Sequence, residues 1–189
     1  MRVISGSAKG IQLQSVPGKS TRPITDRVKE ALFNILGPSI IDKAVLDLFG
    51  GTGAVGIEAL SRGAERAVFL ETNYKAYRTI QQNLKATQLE PYATVMKKDA
   101  FIFLKEEHTE QFDLVYIAPP QYEGLWLEAL QSLDENPELV RLWERVIIQI
   151  HPKEFNEETT YENFRIYDRR EYGDTMLVFY ERFSIERDL

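Results

Sequence analysis

Val45-Leu46-Asp47-Leu48-Phe49-Gly50-Gly51-Thr52-Gly53-Ala54-Val55-Gly56-Ile57-Glu58 is the stretch on which the fold turns. It reads as a buried strand, a glycine turn and a helix start. Ala44 to Leu48 is a short apolar run of the kind that a strand inside a parallel sheet shows, and Ala54 to Leu60 then switches to helix formers. Gly50, Gly51 and Gly53 lie between the two. Glycines at such a place tolerate positive φ and let a ligand approach main-chain N–H groups at a helix N-terminus. The stretch is therefore a nucleotide-type cofactor loop.

Gly51-Thr52-Gly53-Ala54-Val55-Gly56 also satisfies the dinucleotide pattern G-x-G-x-x-G, which leaves the cofactor open. Asp47 shifts the balance. It stands at the strand's end, where a pyrophosphate would meet a negative charge, whereas a carboxylate there suits a cationic ligand. S-adenosylmethionine carries an ammonium and a sulfonium and no phosphate. Asp47-x-Phe49-x-Gly51-x-Gly53 resembles the first motif of class I methyltransferases.

At 189 residues the chain fits one domain, large enough to bury about 70% of its unfolded surface. Residues 1–20 read as a basic arm or hairpin and 21–189 as the core. Hydrophobic residues at 43% and charged residues at 28% are ordinary globular values and exclude wholesale disorder. There is no cysteine, which removes disulfides, thiolate metal sites and cysteine nucleophiles and fits a reducing compartment. No run has the length of a membrane span and Met1-Arg2-Val3-Ile4-Ser5-Gly6 lacks a signal-peptide core, so a cytoplasmic protein is expected. The net charge is −6, yet residues 1–30 hold six basic residues, Arg2, Lys9, Lys19, Arg22, Arg27 and Lys29, against Asp26 and Glu30. A basic segment on an acidic body would meet phosphates at one place only, as in a localised contact on a large RNA.

Met1 to Gln14 is compatible with a β-hairpin or a loose arm. Thr25 is the expected cap of a helix with Val28, Leu32, Ile35 and Leu36 facing the core, stopped by Gly37-Pro38, with Arg22, Arg27 and Lys29 at or near its solvent side. Beyond the central unit, Arg66 to Glu71, Ala93 to Lys97 and Phe112 to Ile117 read as strands, with a helix from Asn73 to Thr87 carrying Tyr77, Ile80 and Leu84 on one face. A helix bearing Trp126, Ala129, Leu130 and Leu133 follows, then a shorter helix over Glu138 to Trp143 and a fifth strand from Arg145 to Ile150. Trp126 and Trp143 are expected in the core. Phe164 to Tyr172 and Thr175 to Arg182 form a hairpin around Gly173-Asp174. The whole is an α/β, Rossmann-like, seven-stranded mostly parallel sheet with an antiparallel C-terminal strand.

In open parallel sheets ligands bind beyond the strands' carboxyl ends. Asp47, Glu71, Asp99 and Ala118-Pro119-Pro120 all fall at successive strand ends. Glu71 is placed to accept hydrogen bonds from both ribose hydroxyls, and Asp99, with Ala100 beside it, to accept from the adenine amine. Two consecutive prolines after a strand present rigid carbonyl acceptors, useful for holding an exocyclic amine while its lone pair attacks a methyl group in line. His108 and His151 are too far apart to suggest a metal site, and none is expected.

The order of motifs resembles that of class I methyltransferases of exocyclic amines, and more narrowly the RsmD family, bacterial enzymes that methylate guanine N2 in 16S ribosomal RNA. The resemblance rests on Ser5-Gly6-Ser7-Ala8-Lys9-Gly10, on Thr21-Arg22-Pro23-Ile24-Thr25-Asp26-Arg27-Val28-Lys29-Glu30-Ala31-Leu32-Phe33-Asn34-Ile35-Leu36, on the cofactor loop, and on Tyr172-Gly173-Asp174-Thr175. It is clear over residues 1–125 and weak over 126–170. The resemblance implies S-adenosyl-L-methionine held by Asp47, Phe49, Gly51, Gly53, Glu71, Asp99 and Ala100. It also implies phosphate contacts from Lys9, Lys19, Arg22 and Arg27 to 16S RNA or the assembled 30S subunit, a target base that leaves its stack, and a protein acting as a monomer. The family pattern has Asp or Asn before the two prolines and an aromatic residue after them. This chain has Ala118-Pro119-Pro120-Gln121-Tyr122, so Gln121 would supply the missing carbonyl and Tyr122 the stacking face. The departure at Ala118 leaves two alternatives open: a cofactor-binding RNA-assembly factor of weak or no activity, and a methyltransferase for another substrate.

Overall fold

The computed structural model describes residues 1–18, 23–156 and 159–184. Seven strands form one sheet in the order β3-β2-β1-β4-β5-β7-β6, where β1 is Ala44–Asp47, β2 Arg66–Leu70, β3 Ala93–Met96, β4 Phe112–Ile117, β5 Val140–Ile150, β6 Phe164–Tyr172 and β7 Thr175–Arg182. The helices are α1 (Asp26–Leu36), α2 (Ala54–Ser61), α3 (Tyr74–Thr87), α4 (Ala100–Leu104) and α5 (Leu125–Glu135). The chain divides into two compact units, Met1–Ala100 and Phe101–Leu189.

In the first unit β1, β2 and β3 run parallel, Val45 opposite Ala67 and Val68 opposite Thr94. Every residue of β1 is buried, Asp47 included, which is why the strand reads as a continuous apolar run. Helix α2 packs on β1 and β2, and its approach depends on Gly56: a Cβ there would come within 2.3 Å of the Phe69 ring. Asn73 caps α3 by accepting from the N–H groups of Lys75 and Ala76.

Helix α1 begins as expected, with Thr25 Oγ1 accepting from Val28 N. Its buried face is rotated from the expected one. Val28, Lys29, Leu32, Phe33 and Leu36 are buried, while Ile35 is 36% exposed at the edge of the stripe. Lys29 is therefore a correction: its side chain is 0% exposed rather than on the solvent side. The cause lies 29 residues downstream. Lys29 Nζ sits 3.2 Å from Glu58 Oε2 on α2 and donates to the carbonyl of Arg2 at 2.6 Å. Burial pushes its pKa below the ordinary lysine value, and Glu58 opposes that shift.

The N-terminal segment is a docked arm. An isolated antiparallel bridge joins Arg2 to Gln12, with Val3 N donating to Ile11 O and Gly10 N to Val3 O. Glu58 accepts from Ile4 N with one oxygen and from Ser5 N with the other, and the second oxygen also takes Arg62 Nε at 2.7 Å. Ser7 N donates to Ser61 O, and Gly6, at φ 85°, passes so close that a Cβ would lie 1.7 Å from that oxygen. Buried Asn83 of α3 completes the seating, accepting from Gln14 N and donating to Gln14 O and to Thr52 O of the glycine loop.

In the second unit β4 and β5 are parallel, and β7 runs antiparallel to both β5 and β6. Trp126, Ala129, Leu130 and Leu133 of α5 are all buried. The expected helix over Glu138 to Trp143 is absent: a 3-10 turn covers Pro137–Leu139 and β5 starts at Val140. A non-local ion pair accounts for the difference. Asp113 on β4 is buried, and Arg141 reaches both its carboxylate oxygens, at 3.0 and 3.3 Å, from an extended segment. The register shifts between the Phe112↔Val140 and Leu114↔Arg145 pairs, and within the extra residues Trp143 adopts φ 67°. Trp143 is thus 38% exposed and not a core residue, whereas Trp126 is buried as expected.

Candidate functional site

The cofactor loop is built on β1. After Asp47 the chain turns through Gly51 (φ 56°) and Gly53 (φ 77°), which stands at the start of α2. Gly53 N donates to Gly50 O, and Gly50 N to Leu70 O at the end of β2. Two carboxylates flank the turn. Asp47 is 2% exposed, and its Oδ1 is buried with no hydrogen-bond partner among the described residues. Desolvation pushes its pKa up to about 7, aided by the charge of Glu71 and opposed by a hydrogen bond from the Phe49 main chain.

Glu71 follows β2 directly. Its Oε2 accepts from Gly51 N at 2.9 Å and its Oε1 from Asn73 N at 2.7 Å, so this carboxylate ties the glycine turn to the start of α3. Asp99 and Ala100 follow β3 at the start of α4, Asp99 half-buried and Ala100 buried.

This arrangement decides between ligand classes. A pyrophosphate needs free N–H groups and a positive field, but one N–H of the turn is already taken by a carboxylate and a second carboxylate lies buried beside it. A ligand carrying a cation or hydrogen-bond donors fits the same surroundings, since it would satisfy Asp47 Oδ1 and hold the carboxylate ionised. The residues present therefore suit a sulfonium and ammonium ligand and disfavour a dinucleotide.

The proline loop belongs to the second unit. It leaves β4 at Ile117, with Ala118 half-buried, Pro119 buried, Pro120 exposed and Gln121 half-buried. Tyr122 is 65% exposed and has φ 64°, a conformation costly for an aromatic residue. Its N–H donates to Glu154 Oε1 at 2.8 Å. Glu154 Oε2 accepts from His151 N at 3.1 Å, and the His151 and Tyr122 rings lie 5.4 Å apart at 41°. His151 Nδ1 accepts from Lys153 N, which puts the ring proton on Nε2, 3.9 Å from Asp174 Oδ1 at the tip of the β6–β7 hairpin.

In the sequence His151 suggested no site and the run Glu154 to Glu162 read as a solvated loop; Glu58 and Asn83 gave no signal because their partners on the arm are remote in the chain. The nearest signal was His151-Pro152-Lys153-Glu154, a capping pattern after a strand, which announces a structured turn without naming what it holds. Among the proposed phosphate contacts, Lys9 and Arg27 are exposed, on the arm and on α1. Lys19 and Arg22 lie outside the described residues. Asp26 accepts from Arg2 N at 3.2 Å, so it holds the arm as well as the helix start. Among the described residues no cluster of His, Cys, Asp and Glu fits a metal ion, and no helix is long and apolar enough to cross a membrane.

Comparison with known proteins places this geometry in a family. The chain is 37% identical over 184 residues to the putative rRNA methyltransferase YlbH of Bacillus subtilis (strain 168), covering 96% of this chain and 99% of that protein. It is 38% identical over 136 residues to the ribosomal RNA small subunit methyltransferase D of Escherichia coli (strain K12), covering 72% of this chain and 68% of that one. The solved structure of the putative methyltransferase yhhF from Escherichia coli superposes with a TM-score of 0.84 at 32% identity, over 97% of this chain and 98% of that chain. The family model described as "Conserved hypothetical protein 95" matches residues 1–181, and the chain belongs to that family, the one its motifs resemble under the name RsmD.

Proposed function

We propose that the protein is a methyltransferase that moves the methyl group of S-adenosyl-L-methionine to the exocyclic N2 of a guanine in 16S ribosomal RNA. The observation that carries the cofactor is the acidic glycine turn, in which Asp47 Oδ1 is buried without a partner and Glu71 occupies the Gly51 N–H. Relatives named as a putative rRNA methyltransferase and as a ribosomal RNA small subunit methyltransferase D support the substrate class. When bound, the sulfonium supplies an electrophilic methyl group. The chain's own residues bind, orient and exclude water. Asp47 and the turn hold the charged end, and Glu71 offers its remaining lone pairs to the ribose hydroxyls. Asp99 and Ala100 would meet the adenine, and the two N–H groups of the target amine would be held by a carbonyl of Ala118 or Pro119 and by the Gln121 side-chain oxygen. As the N–CH3 bond forms the S–CH3 bond breaks, leaving the neutral thioether, and the amine's displaced proton passes from these acceptors to solvent. Lys9, Lys19, Arg22 and Arg27 neutralise phosphates. Action as a monomer in the cytoplasm, on free 16S RNA or on the 30S subunit, completes the reading.

One observation favours a second reading. Ala118 has no side-chain acceptor for the amine, and losing one aligned hydrogen bond in a dry site costs about 2–4 kcal/mol of transition-state stabilisation, roughly 30- to 1,000-fold in rate. A protein that binds cofactor and RNA without turnover would fit that loss. Transfer of labelled methyl to unmodified 30S subunits and to free 16S RNA, with the product nucleoside identified by mass, separates the two. N2-methylguanosine is expected. Absence of transfer with cofactor bound, reversed by Ala118→Asp, would establish the binding-factor reading instead.

A further inference from the structure

Tyr122 presents an unusual combination. It is the first aromatic residue after the two prolines in the sequence, it is exposed, and its main chain occupies a conformation that an aromatic residue does not choose unaided. Something must hold it there, and the structure shows what does. Glu154 uses one carboxylate oxygen on Tyr122 N and the other on His151 N, so a single side chain joins the proline loop to the turn after β5. His151 then lies against the Tyr122 ring, and its own orientation is fixed from two sides, by Lys153 N at Nδ1 and by Asp174 facing Nε2. With the His151 ring beside it at a tilt of 41°, the tyrosine is braced on one side while the residue as a whole stays 65% exposed.

We propose that Glu154 and His151 form a latch that holds Tyr122 as the stacking surface for the target purine, making both of them positioning residues for methyl transfer. This rests on the function proposed above. A base taken out of its helix needs a flat, rigid partner in place of its lost neighbours, and an aromatic ring supplies one for any base. In this chain the residue directly after the prolines is Gln121, so the ring comes one position later and needs a main-chain reversal to reach outward. The left-handed φ at Tyr122 is that reversal, and the Glu154 hydrogen bond is what stabilises it. The latch accounts for an exposed aromatic ring held in a left-handed main-chain conformation two residues beyond the prolines.

The test compares Glu154→Ala, Glu154→Gln, His151→Ala and His151→Phe with the wild type. Measured are methyl transfer to unmodified 30S subunits, S-adenosylmethionine affinity by calorimetry, thermal midpoint, and amide hydrogen exchange in peptides spanning residues 118–124. Glu154→Ala is expected to lower kcat about tenfold or more, with KM for the RNA changed far less because phosphate contacts lie elsewhere, and with cofactor affinity intact. Exchange over 118–124 rises in the same variant. Glu154→Gln, which keeps one carbonyl acceptor, recovers part of the rate; His151→Phe, which keeps the backing ring, retains more activity than His151→Ala. Transfer by Glu154→Ala within twofold of wild type overturns the latch. So does a loss of activity that runs in parallel with lost cofactor affinity and a lowered thermal midpoint, which marks a merely structural residue. Wild-type protein that transfers no methyl to RNA overturns the proposed function and the stacking role together, while unchanged exchange in Glu154→Ala overturns the latch alone.

Discussion

Asp47 carries the most pointed expectation at the scale of single residues. Its folded pKa is raised to about 7, so between the unfolded value and 7 the native state binds the extra proton, and apo-protein stability falls as pH rises through that window. Asp47→Asn is therefore expected to stabilise the apo-protein at pH 8, by on the order of 2–4 kcal/mol in chemical denaturation. The same substitution weakens a cationic ligand, and wild-type cofactor affinity rises from pH 6 to pH 8 as the carboxylate ionises; calorimetry at the two pH values checks both. Equal affinity at both would remove Asp47 from the site. Its place at the end of a buried strand was legible in the sequence, because a carboxylate that ends an apolar run stands out. Lys29 was not, since nothing within a turn or two of it announces Glu58, and helical spacing alone put it beside exposed Arg27.

At the scale of elements, the glycine turn, α2, α3 and the β6–β7 hairpin followed from local pattern, with boundaries within a residue or so of the expected ones. The first half of β5 did not, because its extended form depends on Arg141 finding buried Asp113 across the sheet. The join between the arm, α1 and α2 is a buried charge cluster, and such clusters are weak sources of net stability but severe liabilities when halved. Glu58→Gln leaves the Lys29 ammonium without its counter-charge and is expected to cost about 3–5 kcal/mol, read as a lowered denaturation midpoint. Gly56→Ala tests the α2–β2 approach in the same assay. Its Cβ meets the Phe69 ring at 2.3 Å, and overpacking of that kind costs about 1–3 kcal/mol. Either variant at wild-type stability would mean that the element in question yields more readily than its packing indicates.

For the molecule as a whole, the net charge of −6 hides a basic N-terminal excess, from which Lys29 must be subtracted since Glu58 neutralises it inside. Of the remaining cations, Lys9 and Arg27 stand exposed on the arm and on α1. Reversing both to glutamate is expected to weaken RNA binding and to reduce the slope of log affinity against log salt by about 2, one per lost phosphate contact; an unchanged slope would move the RNA contact elsewhere. The docked arm has one more consequence, and it concerns order in time. Its seats at Glu58, Ser61 and Asn83 are 53 to 69 residues away in the chain. Closing loops of that length is slow relative to forming local helices, and the seats do not exist until α2 and α3 stand on their strands. The arm is thus expected to dock after α2 and α3 have formed, with Lys29 and Glu58 losing water as it docks. By the same path the arm opens first, so the amides of Val3, Ile4 and Ser5 should exchange at a lower free energy than those of β1, making arm release a partial unfolding that leaves the sheet intact.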